Sequence, residues 1–504
     1  MQKLYHKTLR LTGTYALGNL FRRGVQVVLI PLYTAYLATD QYGALAMLNV
    51  AIAFLALLIE TPLVSGALER FYYHPRYAER SGQLLFNVFL LLLVQTVAIA
   101  VGYMALSGLV NRVLFHDDAL LPLVRLYALI LILWPMWALM LSLMKLREMA
   151  AYYVAACTVG MLLAAGVAVV GLTVFHMGVY AVALGQIVEY GVVTLMGLPV
   201  FLQHAEFRLS AGILTEPLRF GYPLLPTGMT RLGMRLLDQN ILCWFRGLSA
   251  VGVYAFGYGI AEGVDSMVVQ PLVNGVAPTV RQLEDTPDQQ RQFVRHAATM
   301  YYLVAVFVGL LASLAAPELV RILGRSPGYW AAQAVIPIIA LAFVQQSLGL
   351  FADWGLVMRN KSYHLTGILL VAAVVNVGLD LLLVPLWGFV GVALAMLAGC
   401  VTWNALKMYF SAKLYDLHFD HRRLLHATAL GVGLYLLSLS LAGANLAWSL
   451  AGKAALAGAF PLLCLVTGLL SRGERAILKS TLAQLLKRPD PGPELGPKDP
   501  TAGE

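Results

Sequence analysis

Charge is what this chain has least of. Asp, Glu, Lys and Arg make up 12% of its 504 residues, about half the share carried by a soluble domain, so a fully hydrated globular surface is excluded. Cysteine is also scarce. Cys157, Cys243, Cys400 and Cys464 each sit alone inside an apolar run; they offer neither a disulfide framework nor metal spacing and read as small buried hydrophobes. There is no GxxxxGK[ST], no HExxH and no nucleophile elbow, which removes ATP hydrolysis by the usual P-loop route and the common hydrolase chemistries. No loop is long enough to hold a separate catalytic domain, and alternating strand patterns are missing.

Apolar residues are abundant instead: 60% of the chain, with a mean hydropathy of +0.75. They fall into fourteen blocks between residues 11 and 470, most of them long enough to cross ~30 Å of hydrocarbon as helices. The expected fold is therefore an all-α polytopic membrane protein of about 14 transmembrane helices. No cleavable leader is expected, because the first apolar run is too long and lacks a small-residue cleavage site. The polar stretch from Ser471, ending RPDPGPELGPKDPTAGE, has the composition of a disordered tail.

Lysine and arginine set the expected orientation. With the N-terminus in the cytoplasm, 25 of the 35 basic residues, Lys407 among them, fall on the cytoplasmic side and 4 on the other. That asymmetry places both termini in the cytoplasm. The net charge of +9 then reflects topology, and nucleic acid is not an expected partner.

The chain repeats internally. TPLVSGAL at 61–68 matches QPLVNGVA at 270–277, an offset of 209 that also places Gly43 on Gly252 and Arg22 on Arg231. GVYAVAL at 178–184 matches GFVGVAL at 388–394 with an offset of 210. Two six-helix lobes are expected, 1–210 and 211–415, followed by two extra helices in 416–470 and a tail, 471–504. An even number of spans per copy inserts both copies the same way up, with a cleft between them.

Ionisable residues inside apolar spans are expensive and must face protein or water. Arg231, Arg235 and Asp238 are spaced i, i+4, i+7 and share one helix face. Arg22 and Arg23 lie at the matching depth of the first span. Guanidinium stays charged when buried and grips phosphate or carboxylate in bidentate fashion, so Arg22, Arg23, Arg231 and Arg235 are the candidate lining of a positive lumen. Asp238, Glu60, Glu262 and Asp265 either pair with them or titrate and couple transport to an ion. Arg125 with Glu189 reads as a structural pair, and Lys453, near a span end, as a snorkelling cation. Pro62 and Pro271, with Gly66 and Gly275, are candidate hinges or static kinks. Trp244, Tyr254, Tyr258 and Trp354 suit sugar stacking or an interfacial belt.

Three stretches carry a resemblance. TGTYALGNLFRRGVQVVLIPLYTAYLATDQYGALAML combines an embedded arginine with a loop ending at Tyr42 and Gly43; RFGYPLLPTGMTRLGMRLLDQNILCWFRGLSAVGVYAFGYGIAE contains Asp238 and the GVY at 252–254; WGFVGVALA spans 387–395. Together they resemble the O-antigen, capsule and exopolysaccharide flippases of the multidrug/oligosaccharidyl-lipid/polysaccharide superfamily. The resemblance implies a V of two lobes and flipping of an undecaprenyl-(pyro)phosphate-linked oligosaccharide across a bacterial inner membrane, with no enzymatic step. It implies Arg22, Arg23 and Arg231 along the lumen beside Asp238. No cofactor is expected beyond a coupling proton or sodium ion; the expected partners are membrane lipids, a polysaccharide polymerase and chain-length proteins. A lipid II flippase is the near alternative. A multidrug antiporter is the more distant one, since first-span arginines repel cationic drugs.

Overall fold

A computed structural model describes residues 18, 22, 24–115, 117–266, 280, 283, 286–357, 363–414, 419–441 and 445–469. Arg23, Pro271, Gly275 and the tail lie outside the described residues, as does the side chain of Trp354. The described chain is helical throughout its regular structure: α1 (Gly24–Tyr36), α2 (Thr39–Phe71), α3 (Ser81–Ala105), the short α4 (Ser107–Leu114), α5 (Leu121–Leu146), α6 (Ala150–Thr173), α7 (Val179–His204), the short α8 (Thr215–Gly221), α9 (Leu225–Val264), α10 (Pro287–Leu323), α11 (Ile336–Val357), α12 (Tyr363–Trp387), α13 (Phe389–Leu414), α14 (His421–Ser438) and α15 (Leu446–Val466). Among the described residues, 12 helices are long and apolar enough to cross a membrane, and the apolar α1 adds a shorter one. The chain is a multi-pass membrane protein.

The α9 helix accounts for two of the expected spans. It runs for 40 residues, and Gly247 breaks it with φ 79° and ψ 173°, a conformation open to glycine. We call its halves α9a (225–246) and α9b (248–264). Arg246, beside Gly247, closes the corner by donating from Nη2 to the Pro385 carbonyl at 2.6 Å.

The repeat has a physical basis at several points. Gly178 (φ 54°) and Gly388 (φ 58°) are offset by 210 and both take the left-handed conformation just before a helix. The helices they precede, α7 and α13, are each 26 residues long. α7 packs on α5 and α6, as α13 packs on α11 and α12. Around α2, α3 and α5 the apolar positions Leu63, Leu84, Val88, Leu139 and Leu143 close into one core.

The two repeats meet along α2 and α9b. A Cβ on Gly43 would strike the Leu248 carbonyl oxygen, and a Cβ on Gly252 would strike the Thr39 carbonyl oxygen. These contacts exchange under the offset of 209, so a pseudo-twofold axis passes between the glycines. Thr39 Oγ1 and Ser249 Oγ lie 2.7 Å apart at the same end. Tyr329, fully buried, donates to the Leu37 carbonyl at 2.9 Å.

The opposite end of α2 is held differently. Pro62 starts a π-helical stretch, Thr61–Leu68, a widened turn in place of a simple kink. Here a Cβ on Gly66 would strike Gly221 of α8. Tyr77 donates to Glu216 at 2.9 Å, and burial together with the Glu216 charge raises that phenol above its ordinary value. Arg76 lies 3.6 Å from Glu216, and the Arg70 guanidinium sits 4.3 Å over the Phe220 ring. Glycines thus bring backbones together at both ends, with hydroxyls beside them at one end and charged, water-exposed groups at the other.

The chain divides into two compact units: Met1–Met267 with Ala315–Asp416, and Val268–Leu314 with Leu417–Glu504. All the contacts above belong to the first. In the second, α14 and α15 pack on the middle turns of α10. Gly431 faces Val306, Phe307 stacks on Phe460 with centroids 5.9 Å apart, and Tyr302 and Thr428 hydroxyls lie 2.6 Å apart.

Candidate functional site

A cavity of about 290 Å³ opens inside the helices of the second repeat, with Leu57 of α2 on its wall. The shared face of α9a delivers Arg231, Arg235 and Asp238 to it, as the i, i+4, i+7 spacing requires. α9b adds Tyr258 and Glu262, and Asp265 follows. α11, α12 and α13 supply Gln346, Asn376, Cys400 and Trp403. Tyr258 therefore faces the cavity, whereas Tyr254 is packed in the interior and Trp244 is exposed against Phe245.

The two arginines are held differently. Arg235 lies 4.2 Å over the Tyr258 ring, and its Nε is buried without a hydrogen-bond partner. Arg231 is exposed to the open space and makes no ion pair among the described residues. The lining was expected to be positive, but it is mixed: two guanidiniums face Asp238, Glu262 and Asp265. α9b and the residue just after it bring Glu262 and Asp265 to the cavity that holds the arginines, and that juxtaposition needs the turn at Gly247.

Beneath the arginines lies a second group. Asp238, Asp380 and Asn376 are all almost fully buried. Asn376 Nδ2 donates to Asp380 Oδ2 at 3.1 Å, and the Asp238 carboxyl interacts with both side chains. One oxygen each of Asp238, Asp380 and Asn376 is buried without a partner. Two carboxylates this close in a dry site repel strongly. A proton shared between them relieves that repulsion. Asp380 reads in the sequence as one more intramembrane acid; its partnership with Asp238 spans 142 positions and no local pattern signals it.

Next to this group Lys407 is 2% exposed. Its Nζ lies 2.7 Å from Asp353 Oδ1 and 3.8 Å from the centre of the Trp403 ring. Counted from sequence it belongs to the cytoplasmic rim. The structure corrects this, because α13 continues to Leu414 and turns Lys407 inward. The indole N–H of Trp403 is buried with no acceptor among the described residues.

Of the other candidates, Arg22 does not line this cavity. Its Nη2 donates to Glu189 Oε1 at 2.9 Å, and its guanidinium lies 5.6 Å from the Trp137 ring centre. The expected Arg125–Glu189 pair is thereby replaced: Arg125 is exposed near the start of α5, and Arg22 reaches Glu189 from the first span. Glu60, half-buried at the end of the regular part of α2, is hydrogen-bonded to Trp134.

A family profile described as "Polysaccharide biosynthesis protein" matches residues 36–326. A search of the curated proteins finds no match. Among solved structures, the chain is similar to the lipid II flippase MurJ in an inward closed conformation, with a TM-score of 0.69 at 11% identity over 90% of this chain and 99% of that one. It is similar to an inward-facing multidrug resistance MATE family transporter of the MOP superfamily, with a TM-score of 0.62 at 15% identity over 80% of this chain and 94% of that one. It is also similar to a MOP superfamily transporter from Pyrococcus furiosus, whose binding pocket is described as reversed in polarity, with a TM-score of 0.54 at 14% identity over 82% and 96%. At these identities the likeness establishes the fold.

Proposed function

Because the chain belongs to the polysaccharide biosynthesis protein family, we propose that it carries a polyprenyl-(pyro)phosphate-linked oligosaccharide across a bacterial inner membrane, from the cytoplasmic to the periplasmic leaflet, by alternating access. The observation that carries this reading is the presence of Arg231 and Arg235 on the wall of one cavity within a membrane-spanning helix. A guanidinium there is costly unless it meets an anion or water, and phosphate is the anion its planar fork fits best. Gln346, Glu262 and Trp403 offer the amide, carboxylate and indole groups that sugar hydroxyls use. The polyprenyl tail stays in hydrocarbon while the head group crosses.

In this reading the Asp238–Asp380–Asn376 group holds the coupling cation, a proton or sodium ion. Both termini lie in the cytoplasm, in keeping with the lysine and arginine distribution. A polymerase and chain-length proteins are the partners downstream. The likeness to the lipid II flippase MurJ makes lipid II a related candidate substrate of the same chemistry. Glu262 and Asp265 favour a second reading, efflux of a cationic compound.

The two readings separate in a strain lacking this gene. Expression of the wild-type chain restores surface polysaccharide. Arg231→Gln and Arg235→Gln, present at normal levels, leave it absent and lipid-linked saccharide accumulates inside. Normal polysaccharide with both variants overturns the proposal. Lost drug resistance with unchanged polysaccharide in the deletion strain supports the efflux reading instead.

A further inference from the structure

The repeat makes it possible to compare the two lobes residue by residue, and the surroundings of the repeat-related arginines differ between them. The offset of 209 carries Arg22 onto Arg231, and the offset of 210 that relates α7 to α13 carries Glu189 onto Gly399. In the first lobe Glu189 is a carboxylate held 2.9 Å from Arg22, with side-chain exposures of 16% and 27% respectively. Aromatic rings fill the space beside it: Trp134 and Trp137 pack on Tyr190 with centroids 5.7 and 5.3 Å away. In the second lobe the same offsets place Phe343, Gln346 and Cys400 at the positions of Trp134, Trp137 and Tyr190. All three, together with Gly399 and Arg231, line the open cavity.

In the first lobe an ion pair closes on the arginine; in the second, Arg231 makes no ion pair among the described residues, although Asp238, Glu262 and Asp265 line the same cavity. A carboxylate from α7 satisfies Arg22. α13 offers Arg231 no carboxylate at the position of Glu189, because Gly399 has no side chain, and the flanking side chain is smaller at all three positions. An arginine site that accepts a carboxylate accepts other oxyanions by the same hydrogen bonds, and phosphate offers more acceptor oxygens.

Resting on the reading above, we propose that Glu189 is an internal counter-anion that closes the first lobe's site, so that the protein binds a single phosphate-type oxyanion, in the second lobe at Arg231. Glu189 acts here as a specificity-determining residue: it limits the chain to one anionic group and leaves the first lobe to shape the cleft alone.

The test is calorimetric titration of inorganic pyrophosphate into the purified full-length protein. Wild type takes up one equivalent, and Arg231→Gln abolishes it. Glu189→Gln takes up two equivalents, and Glu189→Gln with Arg22→Gln returns to one. A stoichiometry of one in folded Glu189→Gln overturns the counter-anion role. Binding that survives intact in Arg231→Gln overturns the functional reading on which the proposal rests, so the two failures are distinguishable. If Glu189→Gln is not recovered folded, the converse variant decides. Gly399→Asp, shown to melt cooperatively, loses pyrophosphate binding; undiminished binding contradicts the proposal. Repeating the wild-type titration with farnesyl diphosphate assigns the source: at least tenfold tighter binding points to a lipid-linked head group, and equal affinity to the free anion.

Discussion

Lys407 shows how much a single side chain depends on what surrounds it. Its ammonium is buried against Asp353 and Trp403, so removing either partner leaves a charge in a dry interior. Lys407→Met and Asp353→Asn should each lower stability by about 3 kcal/mol, the low end for a broken buried pair because a quarter of the Asp353 side chain still meets solvent. The double variant Lys407→Met/Asp353→Leu should recover most of that loss, as a thermal-unfolding cycle in detergent checks. Equal losses that simply add would show that the pair is not coupled. At this scale the sequence could be read only in part. The i, i+4, i+7 spacing was enough to put Arg231, Arg235 and Asp238 on one face, because a helix repeats every 3.6 residues. Asp380, Lys407 and Glu189 were visible as intramembrane or rim charges, but each finds its partner 54 to 167 positions away. No local periodicity encodes such a distance.

Among the elements, α2 and α9b carry the contact between the repeats. The Gly43–Gly252 match in the sequence is explained by the axis between them, where any Cβ would collide with a facing carbonyl. Substituting Gly252→Val should cost about 1–3 kcal/mol by overpacking. A sharper check replaces Thr39 and Ser249 by cysteine after Cys157, Cys243, Cys400 and Cys464 are exchanged for alanine. Oxidation should join the two positions and stop transport, and a reductant should restore it. Full transport by the cross-linked protein would show that this end of the helix pair never separates. The opposite end should respond to salt, because Arg76, Glu216 and Arg70 are partly hydrated there and surface ion pairs are screened. Tyr77→Phe should weaken that end without touching the Gly43–Gly252 contact, a weakening that cross-linking between cysteines placed at Phe71 and Phe220, whose rings lie 6.2 Å apart, can follow. Gly178 and Gly388 were legible as repeat members; their shared left-handed geometry became apparent only from the backbone.

For the whole molecule, the all-helical membrane fold was readable because hydropathy blocks and basic loops are additive properties of the chain. The shape and sign of the cavity were not. A positive lumen was the expectation, yet the turn at Gly247 folds Glu262 and Asp265 back towards Arg231 and Arg235, producing a lining of both signs. A mixed lining suits a phosphate carrying hydroxyl-rich sugar better than either a simple anion or a simple cation. The most direct measurement is flipping itself. The purified protein is placed in liposomes with a fluorescent polyprenyl-diphosphate saccharide, and the fraction crossing the bilayer is followed with a membrane-impermeant quencher. Losing one charge-assisted hydrogen bond costs about 1.5–3 kcal/mol, so Arg231→Gln/Arg235→Gln should flip at least about tenfold more slowly than wild type, with unchanged melting temperature. Equal rates for the two proteins would contradict a role for these arginines in carrying the head group.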